Sequence, residues 1–160
     1  SRGLGDVYKR QVLENLKKPE KAVYSYQNAL RLQPDEPDFM YNLGCSYAQN
    51  GDYDRAIELF HSVIEKEPGD ANSYFNLGYS YSHKEEYELA VPFLEKALEL
   101  NPKDYIDWFY LAYAYDRLGM REKAIEFYEK VLEMSPDYSW AYYNLASIYF
   151  FVSPNIEALK

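Results

Sequence analysis

The side chains of this sequence that could carry catalytic or metal-binding chemistry are few and widely separated. The chain contains two histidines, His61 and His83, and one cysteine, Cys45. Neither histidine has a second histidine or a cysteine at the spacing that metal sites use, and a single cysteine supplies neither an internal disulfide nor a zinc cluster. Both histidines are interpreted as solvated helix residues, and Cys45 as either a small groove-lining residue or a free thiol. We expect no metal and no cofactor.

Carboxylates are abundant, but their placement indicates a structural use. The 26 aspartates and glutamates include the runs Asp35-Glu36-Asp38 and Glu85-Glu86-Glu88, which flank expected helix starts, where negative charge complements the helix dipole. Neither a glycine-rich phosphate loop nor a Ser-His-Asp arrangement can be read from the sequence. The sequence therefore predicts that this chain is not an enzyme.

Tyrosine is the residue type that stands out, with 19 copies that follow an internal repeat. The repeat is marked by prolines that stand 34 residues apart, at Pro34, Pro68, Pro102 and Pro136. A fixed period of this length is typical of stacked-repeat proteins. We number each repeat from three residues after its proline, so position 1 is Pro37, Ala71, Tyr105 and Ser139.

The elements that must position these rings follow from the spacing within each repeat. Apolar residues at positions 4, 7, 8 and 11 form one face of a first helix, and those at positions 20, 24, 27 and 28 form one face of a second helix. Between them lie the turns Asn50-Gly51-Asp52, Lys84-Glu85-Glu86 and Leu118-Gly119-Met120. Small residues at positions 8 and 20 allow close helix approach. The sequence predicts an all-α fold, an α-solenoid of stacked antiparallel helical hairpins.

This pattern resembles the tetratricopeptide repeat family. Its signature of aromatic, leucine, glycine, tyrosine, alanine, aromatic and proline positions is matched at Met40, Leu43, Gly44, Tyr47, Ala56, Phe60 and Pro68, and again from Trp108 to Pro136. The resemblance implies a right-handed superhelix whose first helices line a concave groove. It also implies three full repeats, at 37–70, 71–104 and 105–138, between partial repeats at 12–36 and 139–160.

The groove-facing positions of the first helices supply the candidate binding residues. Position 5 is aromatic in every repeat, position 6 is mostly asparagine, and positions 9, 12 and 13 add further polar and aromatic groups. The candidates are Tyr41, Phe75, Phe109 and Tyr143 at position 5; Asn42, Asn76, Tyr110 and Asn144 at position 6; Cys45, Tyr79 and Tyr113 at position 9; and Gln49, His83, Asp116 and Arg117 at positions 12 and 13. Rings provide contact area at low entropic cost, and amides bind a peptide backbone. The alternative is that these residues belong to the ordinary repeat consensus and pack against neighbouring helices.

The predicted function is a protein-interaction module that holds a peptide or protein segment with apolar or aromatic anchors. The Lys-Asn-Arg clamp that some family members use for acidic tails is not expected, because the corresponding positions carry Tyr41, Cys45, Asn76, Ile106 and Tyr110. An alternative is an accessory domain of a larger enzyme, such as a glycosyltransferase or a kinase. In glycosyltransferase solenoids a ladder of asparagines at position 6 holds the substrate chain, and here Tyr110 would interrupt that ladder.

Charge and hydropathy exclude other classes of partner. The formal net charge is −9, whereas nucleic-acid binders usually present a basic face. The sequence has no apolar run of the length that spans a membrane. With a single cysteine and no visible secretory leader, the sequence predicts a cytoplasmic protein.

The two ends of the sequence depart from the repeat. Residues 1–11 resemble the translation of a transposase-type sequencing adapter, and we expect them to be an artefact outside the fold. The repeat resumes at Val12, in the middle of a helix, and stops at Lys160 within another, so we expect a fragment cut at both ends. Trp140 and Tyr142 would then be left uncovered, which favours self-association through the uncapped terminal repeat.

Overall fold

The computed structural model describes residues 19–152, and this part of the chain folds into eight α-helices. The helices are α1 Pro19–Leu32, α2 Pro37–Gln49, α3 Tyr53–Lys66, α4 Ala71–His83, α5 Tyr87–Leu100, α6 Tyr105–Arg117, α7 Arg121–Met134 and α8 Ser139–Val152. Short turns join α2 to α3, α4 to α5, and α6 to α7, giving three helical hairpins at residues 37–66, 71–100 and 105–134.

The hairpins stack in chain order. Every helix contacts the next one along the chain, and the first helices α2, α4, α6 and α8 also contact one another in succession. Among the described residues, the second helices approach one another less closely, and side chains such as His61 on α3 and Phe93 on α5 make the contact between them. The first helices therefore converge on the inner side of the stack while the second helices spread apart. The prediction of an all-α solenoid of helical hairpins is confirmed.

Each hairpin closes around small residues on both helices. Position 20 is Ala56, Ala90 or Ala124, and all three are fully buried. The ring or leucine at position 24, in Phe60, Leu94 or Tyr128, is also fully buried. These side chains pack against the glycine or alanine at position 8 of the first helix, as the sequence predicts. Close-packed burial of such large groups supplies most of the stability of each hairpin.

Helix starts and turns use the residues that the sequence places there. The side chains of Asp52, Asp70 and Asp104 accept hydrogen bonds from backbone N–H groups of α3, α4 and α6. Glu36 makes no such bond at the start of α2. Helix α5 continues through Pro92, which is its sixth residue.

Burial corrects two expectations about the helix faces. Positions 3 and 10 of the first helices, which the helical-wheel prediction left out, are buried where successive first helices meet, apart from the half-buried Phe39. The buried residues are Ser73, Asp107, Ala141, Ser46, Ser80, Ala114 and Ile148. Position 4 is less enclosed than predicted, since Met40, Tyr74 and Trp108 are only half-buried; Tyr142 is exposed, as expected from the sequence. The cause is that each first helix packs against other first helices and not against its own hairpin partner alone.

The interpretation of His61 as a solvated residue is wrong. His61 is half-buried, with its ring 5.5 Å from that of Phe93 and Nε2 lying 3.4 Å from the Tyr81 hydroxyl. It lies on α3, so these contacts join one hairpin to the next. His83 is exposed in part, but its ring stacks on Tyr53 at 5.1 Å.

Several predictions about the ends fall outside the described residues. These are the artefact at residues 1–11, the start of the partial repeat at 12–18, and the final turn and helix expected at 153–160. Within the described range, no helix has the length and apolar character needed to cross a bilayer.

Candidate functional site

A cleft of about 510 Å³ opens where the C-terminal end of α4 and the middle of α6 face the first turns of α8. Six of the predicted groove residues line it: His83, Phe109, Tyr110, Tyr113, Tyr143 and Asn144. They come from three successive repeats, so the stacking of first helices is what brings them together. Tyr143 is the most accessible of the predicted position-5 rings, with 66% of its surface exposed.

A second group of rings extends this surface toward the preceding repeat. Phe75 and Tyr79 on α4 lie 5.6 Å and 5.0 Å from the ring of Tyr110 on α6, both edge to face. Tyr79 in turn lies 4.3 Å from the His83 ring. The aromatic surface is therefore continuous from α4 to the cleft, through Tyr110.

The position-5 rings of the first and third hairpins pack partly into the core. Tyr41 lies 5.9 Å from Phe60, and Phe109 lies 5.7 Å from Tyr128. Neither Tyr41 nor Phe109 is fully enclosed, and Cys45 beside Tyr41 is half-buried. Burial raises the pKa of the Cys45 thiol, which keeps it protonated at neutral pH. Tyr41 and Phe109 thus combine a packing contact with an open edge.

The predicted asparagines at position 6 already use their amide donors within the protein. Asn42 Nδ2 donates to the Asp38 carbonyl at 2.6 Å, and Asn144 Nδ2 donates to the Tyr128 hydroxyl at 3.0 Å. Asn76 Nδ2 donates to the Tyr41 hydroxyl at 3.1 Å, between two successive repeats. Their side-chain oxygens remain the groups with which they would accept hydrogen bonds from a bound backbone.

The remaining predicted residues lie at the margins. Gln49 is exposed at the end of α2, away from the cleft. The Arg117 guanidinium lies over the Tyr87 ring, 5.6 Å from its centroid, at the rim of the cleft. Asp116 is half-buried, and burial raises the pKa of its carboxyl while Arg117 and Arg121 oppose that rise.

Five cleft residues are absent from the predicted set: Ser82, Glu85, Tyr87, Tyr138 and Trp140. Glu85 is in the α4–α5 turn, with a φ of 61°, where the matching turns carry Gly51 and Gly119 at φ of 78° and 75°. The sequence signal that could have identified Glu85 is a glutamate in a turn where the matching turns carry glycine. Trp140 occupies position 2, which the helical wheel also directs to the groove.

Burial sets the charge of the cleft. It lowers the pKa of His83, which is therefore neutral at pH 7, and raises the pKa of Tyr113. Among the residues that line the cleft, Glu85 is then the one charged side chain. No group of three or more His, Cys, Asp or Glu side chains within the described range is arranged to hold a metal ion.

Comparisons with known proteins place this geometry in context. Models described as tetratricopeptide repeat match residues 41–105, 106–138 and 127–157, and one described as TPR repeat matches residues 16–51. No curated protein matches the chain by sequence.

Solved structures of similar fold are numerous. MamA from Desulfovibrio magneticus RS-1 is 26% identical, with a TM-score of 0.81 over 91% of this chain and 83% of that one. YrrB, described as a TPR protein with an unusual peptide-binding site, is 26% identical, with a TM-score of 0.75 over 88% of this chain and 73% of that one. The first TPR of Spaghetti (RPAP3), bound to an HSP90 peptide, shares the fold at 23% identity and a TM-score of 0.71, over 74% of this chain and 94% of that one.

Proposed function

Because the chain belongs to the tetratricopeptide repeat family, we propose that it is a protein-interaction module that binds a peptide or protein segment along α2, α4, α6 and α8. The observation that carries the proposal is the aromatic cleft of about 510 Å³ at the end of this surface. The volume suits one or two side chains of a bound segment.

The placement of the surface supports the same role. The first helices converge on the inner side of the stack, so a segment lying across them contacts several repeats at once. Rings such as Tyr79, Tyr113 and Tyr143 keep part of their surface open to solvent on this side. YrrB, which shares this fold, is described as having an unusual peptide-binding site, which supports a peptide as the partner here.

The decisive comparison uses two tyrosines of α8. Tyr143 lines the cleft and Tyr149 does not, although both are substantially exposed, at 66% and 48%. A peptide selected from a random display library against the native chain is labelled, and its affinity is measured by fluorescence anisotropy. Tyr143→Ala is expected to weaken binding about tenfold or more, as removal of an aromatic anchor does, while Tyr149→Ala leaves it unchanged.

Thermal denaturation of the same variants separates binding from folding. Because both tyrosines are exposed, both substitutions are expected to leave the melting temperature close to that of the native chain. Equal affinity of the Tyr143→Ala and Tyr149→Ala variants would place the binding surface elsewhere and refute the proposal.

The role proposed is binding rather than catalysis. The enzyme-accessory alternative stays a prediction, and the complete open reading frame tests it. Self-association through the terminal repeat also stays a prediction; exposed Trp140 and Tyr142 on α8 are the residues that it would use. Analytical ultracentrifugation tests it by comparing the native chain with a variant that carries an added capping helix after α8.

A further inference from the structure

We propose that the cleft between α4, α6 and α8 is a subsite for a cationic side chain, arginine or lysine, of the bound segment. The inference rests on the proposed function and specifies the chemistry of one anchor. It differs from the apolar or aromatic anchor that the sequence predicts, because the structure adds a carboxylate to the ring-lined cleft.

The walls of the cleft are aromatic on several sides. Trp140 and Tyr143 lie 5.9 Å apart with their planes at 79°, and Phe109 and Tyr110 lie 5.6 Å apart at 87°. Rings set nearly perpendicular to one another expose both faces and edges to the same space. The face of an aromatic ring attracts a cation through the ring quadrupole, most strongly for tryptophan and tyrosine.

The charge of the cleft has the sign that a cation requires. Glu85 contributes the carboxylate, and His83 next to it is uncharged at pH 7. Glu85 adopts a left-handed backbone conformation, with a φ of 61°, whereas the residues in this conformation in the matching turns are glycines. Strained residues of this kind persist where the surrounding structure holds them, often at binding sites.

An internal example of the proposed contact exists at the rim. The Arg117 guanidinium lies over the Tyr87 ring at 5.6 Å, and Tyr87 packs edge to face on Tyr113 at 5.9 Å. Arg117 does not itself line the cleft. The rings at this rim thus already accept one guanidinium. Its charge also interacts with Glu85, so a bound cation would share this carboxylate with Arg117.

An anionic segment fits less well. It would bring a negative charge toward Glu85 within a chain whose formal net charge is −9. The partner chemistry that complements the cleft is a basic peptide, with the aliphatic stem of arginine or lysine against the rings and its charged end at Glu85.

The test uses three pools of nine-residue peptides that differ only in the fixed central residue. The centre is arginine, citrulline, or glutamate, and the flanking positions are randomised. Citrulline keeps the shape of arginine and loses its charge. Retention of each pool on the immobilised chain is measured by mass spectrometry. We expect the arginine pool to be retained about five- to thirtyfold over the citrulline pool, as a desolvated cation–π contact with a carboxylate implies.

Two charge-removing variants locate the contact. Glu85→Gln keeps the side-chain length and the turn backbone, and it is expected to lower the arginine-to-citrulline ratio several-fold, with the ring contact retaining the remainder. Glu88→Gln removes an exposed carboxylate of α5 that does not line the cleft, and it should leave the ratio unchanged. Circular dichroism confirms that both variants are folded.

The possible failures are distinguishable. If no pool is retained above background, the proposed function itself fails. If all pools are retained alike, or the glutamate pool is preferred, peptide binding stands and the cationic subsite is overturned. An arginine preference that Glu85→Gln does not reduce likewise overturns the assignment of the cation to this cleft.

Discussion

Gly78 on α4 and Leu94 on α5 are in such close contact that the pair leaves no room for a methyl group. A Cβ atom at Gly78 would lie 2.7 Å from Cδ2 of Leu94 and 3.1 Å from the carbonyl oxygen of Ala90. Leu94 and Ala90 are both fully buried, and Ala90 presents rigid backbone at this point. The closest approach of the two helices in the second hairpin therefore depends on glycine at position 8.

Gly78→Ala is expected to lower the free energy of unfolding by about 1–3 kcal/mol, because overpacking forces Leu94 and the helix backbone to move. This loss outweighs the gain of up to about 1 kcal/mol that alanine brings to a helix. Urea denaturation followed by circular dichroism measures the difference. Gly69→Ala is the control, since a Cβ there meets nothing within 4 Å. Equal stability of the Gly78→Ala variant and the native chain would contradict the packing argument.

At Glu85, introducing a glycine is expected to stabilise the fold. Glu85 adopts a φ of 61°, a left-handed conformation that L side chains disfavour by about 1–2 kcal/mol. Glu85→Gly should therefore raise the free energy of unfolding by about 1 kcal/mol, measured by thermal denaturation. Glu85→Ala retains a Cβ and should give no comparable gain. A stabilisation of the same size in both variants would show that the charge, not the backbone, is responsible.

Asp107 makes the stability of the stack depend on pH. It is buried at position 3 of α6, and burial, with a smaller contribution from Asp104, raises its pKa to about 7. An unfolded aspartate has a pKa of about 3.9, so between about pH 4 and pH 7 the folded state binds more protons than the unfolded state. The contribution of Asp107 to stability is thus complete below about pH 4 and is lost as the pH rises toward about 7.

Asp107→Asn should raise the free energy of unfolding at pH 8 by about 1–2 kcal/mol, because the buried carboxylate is replaced by a neutral group of similar shape. It should also flatten the fall in stability between about pH 4 and pH 7, measured by urea titrations at several pH values. Asp38→Asn, at an exposed aspartate in the first turn of α2, should leave that fall in place. If the pH dependence persists unchanged in the Asp107→Asn variant, a titratable group other than Asp107 is responsible for it.

The sequence predicts the hairpins well because their determinants are local. The proline spacing, the small residues at positions 8 and 20, and the rings at position 24 all act within one repeat, and the helices begin and end where this pattern places them. Ser73 and Asp107 are different. Their burial depends on the angle between successive first helices, and a helical wheel drawn for one helix carries no information about that angle.

The candidate site shows the same limit. The sequence identifies Tyr110, Tyr113 and Tyr143 from their repeat positions, because the direction of a side chain from its own helix is a local property. It does not identify Glu85 or Tyr138, which lie outside the first helices and reach the cleft only through the stacking of three repeats. Exposure also varies along the position-5 stripe: Tyr41 and Phe109 pack on Phe60 and Tyr128 of the second helices and are half-buried, whereas Tyr143 is exposed.

Contacts between hairpins include a recurring hydrogen bond of the position-11 tyrosine. In the third full repeat, the Tyr115 hydroxyl donates to Glu95 Oε1 at 2.6 Å, joining α6 to α5. In the two preceding repeats Gln27 donates to the Tyr47 hydroxyl at 2.7 Å, and the Tyr81 hydroxyl lies 3.4 Å from the His61 ring nitrogen. The partner always comes from position 25 of the preceding second helix, so the bond holds successive hairpins together.

Tyr115→Phe is expected to lower the free energy of unfolding by about 1–2 kcal/mol, because a hydrogen bond to a carboxylate is stronger than one between neutral groups. A double-mutant cycle with Glu95→Ala, measured by guanidinium chloride denaturation, should give a coupling energy of about 1 kcal/mol. The matched cycle uses Glu99→Ala, one turn later on α5, where the carboxylate pairs with Lys96 instead; its coupling to Tyr115→Phe should be close to zero. Equal coupling in the two cycles would mean that the hydroxyl acts through general packing, and the hydrogen bond would lose its assigned role between the hairpins.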